Sequence, residues 1–307
     1  MTAAEHGNGT AIPRSIAVLG AGLMGHAIAY TAAAHDFPVA VYDPSQAALD
    51  TLHGRLQACD TPYGRGFRDV TATDVLAEAV RGVDLVFEAV PEDLGLKTDL
   101  LSAVYALNPG AILASNTSVI PIRDIEEGLP DGAAVIGTHW WNPAHLMRVV
   151  EVVSGRHTDA AVTQAVTELL VTLGKTPVLV GDAPGFVGNR LQFALWREAM
   201  TIVDAGIADA ETVDLIARET FGRRLPVLGP LENADYIGLP LTEQIMSYVL
   251  PHLSDSPKPP PGLTERIALG KNGSRTGSGF LEWPAGRVSE VRDRLDRQLQ
   301  PTREDAT

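Results

Sequence analysis

The sequence is poor in cysteine, in lysine and in long apolar runs. A single cysteine, Cys59, among 307 residues excludes an internal disulfide framework and a zinc site built from cysteines. Such cysteine usage suits a reducing compartment, so we predict a cytoplasmic protein. No apolar run approaches the roughly 18–20 residues that a membrane-spanning helix needs. The N-terminal residues also lack the basic region and apolar core of a secretory signal. We therefore expect no membrane association, no secretion and no metal site.

Positive charge is also scarce and unevenly distributed. The 24 Lys and Arg residues against 38 Asp and Glu residues give a formal net charge of −14. This excess of negative charge repels polyphosphate and argues against nucleic acid as a partner. The first 96 residues contain no lysine, and the whole chain has only Lys97, Lys175, Lys258 and Lys271. The 45% hydrophobic and 20% charged residues are typical of a soluble globular enzyme, and the length suggests about two domains.

Short apolar runs alternate with stretches of helical spacing up to about residue 183. The runs predicted as strands are residues 15–19, 38–42, 83–90, 111–115, 134–138, 149–153 and 176–180. Helices are predicted between them at residues 23–35, 73–81, 96–107 and 160–173. This alternation predicts a mostly parallel, doubly wound sheet that is covered by helices on both faces.

The pattern changes after the segment Asp182-Ala-Pro-Gly185. No strand is predicted from Phe186 onward, and helical spacing recurs at residues 186–205, 208–221, 240–252, 263–269 and 286–299. The predicted organisation is a flexible tail over residues 1–13, an α/β domain over residues 14–183 and an all-helical C-terminal domain over residues 184–307.

A glycine-rich turn follows the first predicted strand and opens the first predicted helix. Its residues are Gly20, Ala21, Gly22, Leu23, Met24 and Gly25. Gly20 permits the tight turn, Gly22 lets a pyrophosphate approach the backbone, and Gly25 lets the helix pack on the strand. Asp43 ends the second strand, where a carboxylate accepts hydrogen bonds from ribose hydroxyls and repels a 2′-phosphate. These residues predict a Rossmann-type domain that binds NAD rather than NADP.

Polar residues that suit proton transfer follow the later strands. Ser118 and His139 come just after the fourth and fifth predicted strands, at the edge of the sheet where doubly wound folds bind ligands. Glu151 lies in a run of valines, and a buried carboxylate there needs a partner such as an imidazole. A His–Glu pair holds the ring in one tautomer and stabilises its protonated form. Asn189 begins the helical domain, where we predict that it donates a hydrogen bond across a cleft.

Together these residues resemble the L-3-hydroxyacyl-CoA dehydrogenase family. The resemblance extends from residue 14 to about residue 283, and it rests on GAGLMG, Asp43, FEAVPEDLGLK, ASNTS, His139-x-x-Asn142-Pro143, Glu151 and PGFVGNR. It implies that His139 takes the hydroxyl proton while hydride leaves the same carbon for the nicotinamide. It also implies that Glu151 orients His139, and that Ser118 and Asn189 bind the substrate oxygen.

The resemblance further assigns residues to the cofactor and predicts a partner. Besides the glycine turn and Asp43, the implied cofactor positions are Glu92, Lys97, Asn116, Asn142 and Arg275. Arg275 stands where the family usually has lysine. Arginine keeps the positive charge but changes the geometry of the contact. In the family the helical domain closes over the substrate and forms the dimer interface, so we expect a homodimer.

Two features depart from the family's pattern. Trp140 and Trp141 replace phenylalanines after the histidine and are expected to reshape the pocket beside the reacting carbon. The segment between Asp43 and Val83 is short and contains no lysine, whereas acyl-CoA members carry a longer, lysine-rich segment that grips the CoA phosphates. The sequence Val90-Pro91-Glu92 also resembles the branch that oxidises free hydroxy acids and alcohols such as gulonate, carnitine and pyridine carboxylates.

Three substrates therefore compete under one mechanism. The first is a 3-hydroxyacyl-CoA or similar thioester, which the intact catalytic set favours and which would place the enzyme in fatty acid metabolism. The second is a free hydroxy acid or small alcohol. The third is a β-ketoacyl chain on a carrier protein, reduced by a polyketide ketoreductase. An NAD-binding protein without turnover is the alternative of a different class, and the presence of all four catalytic residues disfavours it.

Overall fold

The computed structural model describes residues 11–60 and 64–299 of the chain. The first ten residues of the predicted tail lie outside the described residues, as do residues 300–307 of the predicted helical domain, whereas Pro13 is buried. The strands are Ile16–Leu19 (β1), Val39–Tyr42 (β2), Val70–Thr73 (β3), Leu85–Glu88 (β4), Ile112–Ser115 (β5), Val135–Trp140 (β6), Val149–Ser154 (β7) and Thr176–Leu179 (β8). The helices among them are Gly25–Ala33 (α1), Gln46–Asp50 (α2), Leu52–Asp60 (α3), Leu76–Ala79 (α4), Leu94–Leu107 (α5), Ile122–Glu126 (α6) and Ala160–Thr172 (α7).

The eight strands form one sheet in the order β3-β2-β1-β4-β5-β6-β7-β8. All neighbouring pairs are parallel except β6 and β7, which are antiparallel. Because β2 and β3 lie on one side of β1 and β4 on the other, the strand order reverses at β1. In doubly wound sheets ligands bind at this reversal, beyond the carboxyl ends of the strands. The predicted Rossmann-type sheet is confirmed.

Alternate residues of each central strand face opposite sides of the sheet. Ile16 and Val18 pack with α1, α3 and α7 on one side, while Ala17 and Leu19 pack with α5 and α6 on the other. Both faces are therefore apolar, which is why the central strands read as continuous hydrophobic runs. The two buried faces hold the carboxyl edge of the sheet, and the polar residues that follow the strands, in a fixed frame.

The structure differs from the sequence-based elements between Asp43 and Val83. Residues 73–81 were expected to be helical, but β3 ends at Thr73 and α4 covers only Leu76–Ala79. The edge strand β3 has the sequence Val-Thr-Ala-Thr, which is not an apolar run, and it was therefore not predicted. Helices α2 and α3 were not predicted, because the apolar face of α3 is reduced to Leu52, Leu56 and Cys59.

The remainder of the chain is helical. Its helices are Gly188–Asp204 (α8), Ala210–Glu219 (α9), Phe221–Arg224 (α10), Pro230–Ile237 (α11), Leu239–Val249 (α12), Pro261–Ala268 (α13) and Arg287–Leu299 (α14), and a 3-10 turn over Leu250–His252 follows α12. No strand occurs after β8 among the described residues. Within residues 11–60 and 64–299, none of the helices is long and apolar enough to cross a membrane.

The described chain divides into two compact units. Arg190–Gln298 forms the second unit, so the division falls a few residues after the predicted boundary near residue 183. The reason is that Phe186 and Asn189 are buried within the first unit. Helix α8 therefore begins in the first unit, which brings its N-terminus to the residues that follow β5, β6 and β7.

Candidate active site

His139 and Glu151 are paired across the antiparallel strands of the sheet. They are register partners in β6 and β7, and residues directly opposite each other project from the same face. His139 Nδ1 lies 2.7 Å from Glu151 Oε2, and the two side chains are only 4% and 6% exposed. A carboxylate can only accept, so Nδ1 carries the hydrogen and Nε2 is left as the nitrogen that can take a proton. The predicted residues are therefore brought into the arrangement that a general base requires.

Helix α8 holds the other oxygen of the carboxylate. Glu151 Oε1 accepts hydrogen bonds from the backbone N–H groups of Val187, at 3.0 Å, and Gly188, at 3.1 Å. Burial raises the pKa of Glu151, but the hydrogen bonds from His139 and from these two N–H groups outweigh it, and the net pKa lies below the ordinary value. Glu151 is therefore ionised at neutral pH, and it fixes both the direction and the tautomer of the imidazole.

Ser118 and Asn189 are also brought together. Asn189 is buried, and its Nδ2 donates to the backbone carbonyl of Ser118 at 2.7 Å. The backbone N–H of Ser118 in turn donates to Glu92 Oε1 at 2.9 Å. Asn189 follows directly on the two residues that hold Glu151, so the N-terminus of α8 connects the Ser118 loop with the His139–Glu151 pair.

The exposed Glu92 and the buried Lys97 belong to one charged network after β4. Lys97 is completely buried, and its Nζ donates to Glu88 Oε1 at 2.8 Å and to the Val90 carbonyl at 3.2 Å. It also lies 3.3 Å from Glu92 Oε2. Burial raises the pKa of Glu92. The hydrogen bond from the Thr117 hydroxyl, the charge of Lys97 and two backbone N–H groups together lower it by more, so the net pKa is below the ordinary value. The network fixes Glu92 beside the loop that carries Ser118.

The glycine turn has the shape that a dinucleotide needs. A Cβ at Gly20 would lie 2.8 Å from the carbonyl oxygen of Ala89, and one at Gly25 would lie 1.7 Å from the carbonyl oxygen of Gly20. At Gly22, by contrast, no atom lies within 4 Å of such a Cβ, which leaves the space through which a pyrophosphate approaches the backbone. Asp43 Oδ2 accepts from the Ala21 N–H at 2.8 Å and is thereby fixed beside this turn. These residues fit NAD.

The other predicted cofactor residues lie in different surroundings. Leu23 is exposed and Met24 partly buried in the turn. Asn116 is buried, and its Oδ1 accepts from the Trp140 N–H at 2.8 Å, which ties the end of β5 to β6. Asn142 is exposed and precedes a cis peptide bond to Pro143. Arg275 is exposed in the second unit, between the bridge residues Gly273 and Ser278.

Two aromatic rings flank the imidazole, and only one of them, Trp141, was expected from the sequence. Trp141 lies with its ring centroid 4.7 Å from that of His139, and Phe186 lies at 5.8 Å. Trp140, which was also expected to reshape the pocket, is buried on the other side of the sheet, edge-on to Phe87 at 5.7 Å. The alternation of side chains along β6 explains this difference, because neighbouring residues face opposite sides.

Both parts of the chain match models of one family. Residues 15–183 match the NAD-binding domain of 3-hydroxyacyl-CoA dehydrogenase, and residues 185–283 match the C-terminal domain. The chain belongs to the 3-hydroxyacyl-CoA dehydrogenase family. Together with the glycine turn, this membership makes it an NAD-dependent oxidoreductase that acts on a hydroxyl group.

Similar members of the 3-hydroxyacyl-CoA dehydrogenase family have different substrates in their names. The chain is 37% identical to a probable 3-hydroxybutyryl-CoA dehydrogenase of Deinococcus radiodurans, over 87% of this chain and 99% of the relative. It is 31% identical to 5-formyl-3-hydroxy-2-methylpyridine 4-carboxylate 5-dehydrogenase of Mesorhizobium japonicum, over 94% and 97%. It is 34% identical to L-carnitine dehydrogenase of Streptomyces coelicolor, over 80% of both chains.

Solved structures show the same two kinds of relative. A structure of the pyridine carboxylate dehydrogenase, described as NAD+ dependent, has a TM-score of 0.87 at 30% identity and covers 93% of this chain and 96% of its own. The (S)-3-hydroxybutyryl-CoA dehydrogenase of Ralstonia eutropha has a TM-score of 0.69 at 29% identity and covers 89% and 99%. The similarity therefore includes relatives named for CoA thioesters and relatives named for free acids.

Replacing Asp43 by Ala should weaken NAD binding. The predicted hydrogen bond from the ribose to Asp43 is charge-assisted, so its removal should raise the Kd for NAD by about ten- to a hundredfold, with kcat at saturating NAD largely retained. Rejection of a 2′-phosphate should also relax, so the ratio of the Kd for NADPH to that for NADH should fall. Titrations that follow tryptophan fluorescence measure the Kd for NADH and the Kd for NADPH.

The matched control for Asp43 is Asp50→Ala, which removes an exposed acid on the adjacent helix α2 that bonds to Gln46 in its own helix. An Asp43 variant that binds NADH as tightly as the parent and the Asp50 variant would contradict the ribose assignment.

Proposed function

We propose that the enzyme oxidises the hydroxyl group of a 3-hydroxyacyl substrate, or reduces the corresponding ketone, with His139 and Glu151 as its catalytic pair. The observation that carries the proposal is the buried bond between His139 Nδ1 and Glu151 Oε2, at 2.7 Å. When bound, NAD supplies the hydride acceptor. His139 Nε2 takes the hydroxyl proton, and Glu151 stabilises the imidazolium that results.

Ser118 and Asn189 are proposed to hold the substrate oxygen. The Asn189 amide donates one N–H to the Ser118 carbonyl and keeps the other for the substrate oxygen. The Ser118 N–H is anchored on Glu92, which leaves the Ser118 hydroxyl as the second donor. Donors fixed in this way need no reorganisation as negative charge develops on the oxygen, which makes them effective in stabilising it. Glu92, with Lys97 behind it, is proposed to position this loop against the cofactor.

A free hydroxy acid is the second candidate substrate. The lysine-free segment between Asp43 and Val83 favours it, because the CoA phosphates would find few fixed cations there. The TM-score of 0.87 to the pyridine carboxylate dehydrogenase points the same way. A chain on a carrier protein is compatible with the same segment, since the carrier would then supply the affinity.

The group to which the acyl chain of the substrate is attached can be determined by NADH oxidation with three forms of one ketone. Acetoacetyl-CoA, free acetoacetate and acetoacetyl-N-acetylcysteamine present the same reacting carbon to His139. A strong preference for the CoA ester supports the first proposal and a place in fatty acid metabolism. Equal or higher rates with free acetoacetate support the hydroxy acid. A preference for the short thioester over both would favour a carrier-bound chain. The absence of turnover with all three compounds would contradict the proposed reaction.

We also propose that the enzyme is a homodimer formed through the second unit. Among residues 190–298, only Pro260 and Gly262 are buried, so the single chain encloses no large apolar side chain there. Leu231, Tyr236 and Tyr248 are each at least 80% exposed. An exposed apolar surface of this extent is typical of an interface, and a second copy of the unit, with its own apolar helices, is the occupant that would cover it.

The single cysteine is compatible with the predicted cytoplasmic location.

Light scattering coupled to gel filtration tests the dimer. We expect twice the mass of one chain at micromolar concentration, and a shift toward monomer in Tyr236→Arg, which introduces a charge on α11. Glu232→Gln, an exposed polar change on the same helix, is the matched control and should remain dimeric. A wild-type protein with the mass of one chain would contradict the proposal.

A further inference from the structure

Trp141 lies where the imidazole, the N-terminus of α8 and solvent meet. Its ring centroid is 4.7 Å from that of His139, with 55° between the ring planes. Trp141 is partly exposed, whereas His139 is only 3% exposed. The indole therefore covers the outer side of the imidazole. A group attached to a carbon that reacts at His139 therefore has this ring as a neighbour.

Gly188 leaves the space that the indole fills. A Cβ built on Gly188 would lie 2.2 Å from Trp141 Cζ2 and 2.8 Å from Cη2, so no other residue fits without moving the ring. The backbone of Gly188 does not require glycine, because it is not among the glycines with positive φ. The three atoms nearest to such a Cβ all belong to the indole, which therefore excludes a side chain at this position. Gly188 and Trp141 are thus complementary in size.

The same short segment also holds the base from its other sides. The Gly188 N–H donates to Glu151 Oε1 at 3.1 Å, and Glu151 Oε2 bonds to His139 Nδ1 at 2.7 Å. Phe186, which is buried, lies with its ring centroid 5.8 Å from that of His139. The imidazole is therefore held at one nitrogen by Glu151 and flanked by two aromatic rings, which restricts its rotation about χ2.

We propose that Trp141, seated by Gly188, is a positioning and specificity-determining residue of this dehydrogenase. It keeps the plane of the His139 ring fixed, and it limits the size of the group that flanks the reacting carbon. The substrates are then those with small groups next to the hydroxyl, such as short 3-hydroxyacyl chains. The inference rests on the proposed role of His139 as the base.

The test compares Trp141→Phe, Gly188→Ala and the double variant. Phenylalanine lacks the Cζ2 and Cη2 atoms of the indole that a Cβ at residue 188 would meet, so it should accept alanine there. With acetoacetyl and 3-oxooctanoyl substrates, on whichever handle gives turnover, Trp141→Phe should raise the ratio of kcat/KM for the long chain to that for the short one by about tenfold or more. Gly188→Ala should lower kcat for both substrates by about tenfold, because the indole must move to make room for the Cβ and a small misplacement beside a base is costly.

The double variant separates this inference from a loss of structure. Trp141→Phe in the Gly188→Ala background should restore kcat to within about threefold of the Trp141→Phe enzyme, which is strong coupling between the two sites. The pH profile of kcat/KM should change in Gly188→Ala and return in the double variant. The Kd for NADH should stay constant throughout. Additive losses in the double variant, or an unchanged chain-length ratio, would overturn the proposal.

Two further measurements keep the outcome unambiguous. Thermal unfolding reports whether Gly188→Ala folds; if it does not, refolding of the double variant still supports the size complementarity, and failure of both to fold overturns it. His139→Gln is assayed beside these variants. Wild-type turnover in His139→Gln would contradict the proposed base, whereas an inactive His139→Gln with unchanged Trp141 variants would contradict only the role of Trp141.

Discussion

Replacing His139 by Gln should lower kcat by about two to four orders of magnitude while the Kd for NADH stays nearly the same. The amide keeps the approximate size of the imidazole and can still bond to Glu151, so the fold around β6 and β7 should be preserved. It has no nitrogen that can take up a proton at neutral pH. The loss should therefore appear in the chemical step, measured as single-turnover NADH oxidation, and not in cofactor binding.

The chain provides a matched control for this substitution. His157 also lies beside a glutamate, with its Nδ1 3.7 Å from Glu126 Oε2, but its side chain is 72% exposed and belongs to the loop after β7. His157→Gln should retain wild-type kcat. If His139→Gln kept wild-type turnover, or if both variants lost activity equally, His139 would not be the base.

The central strands of the fold were predictable because both faces of the sheet are buried. Continuous apolar runs marked β1, β2, β4, β5, β6 and β7, and glycines marked the turn after β1. The edge strand β3 was not predicted, because its Val-Thr-Ala-Thr sequence is not an apolar run, whereas the apolar residues 176–180 marked the other edge strand, β8, although it is at least as exposed. In the second unit the helical spacing marked α9, α12 and α14 although none of them has a buried residue, whereas α11, only eight residues long between Gly229 and Gly238, was missed.

The site was predictable where an unusual residue stands in an apolar run, and less so where the backbone supplies the contact. Glu151 among valines demanded a partner, and the register of β6 and β7 supplies His139. The backbone N–H groups of Val187 and Gly188 bind the second oxygen of Glu151, and no side-chain pattern in the sequence predicts this contact. The sequence likewise contains Trp141 and Gly188 far apart, and their complementary sizes become visible only when the fold brings them together.

Replacing Glu151 by Gln should also lower kcat by about two to four orders of magnitude, as in other enzymes in which the partner of a catalytic histidine becomes an amide. All three groups that bond to the Glu151 carboxylate are donors: His139 Nδ1–H and the N–H groups of Val187 and Gly188. A glutamine has one acceptor and one donor end, so one of these contacts must become unfavourable.

Both orientations of the introduced glutamine have a definite consequence. If its oxygen bonds to the two backbone N–H groups, its NH2 group faces His139 Nδ1 and forces the ring proton onto Nε2, which can then no longer act as the base. If its oxygen bonds to His139, the NH2 group faces two part-buried donors, which costs at most about 1–3 kcal/mol for each group left without an acceptor. Both orientations lower kcat, because the amide has no charge to stabilise the imidazolium, and the second also lowers stability at the N-terminus of α8.

Urea unfolding and steady-state kinetics separate the two orientations of the amide in Glu151→Gln. Glu126→Gln is the matched control, because Glu126 is buried and accepts hydrogen bonds from the N–H groups of Arg156 and His157 without bonding to His139. It should lose stability and retain kcat. The double variant of His139→Gln and Glu151→Gln should be no slower than His139→Gln alone, since Glu151 acts only through the imidazole. A Glu151→Gln enzyme within about threefold of wild-type kcat, or additive losses in the double variant, would show that the carboxylate does not work through His139.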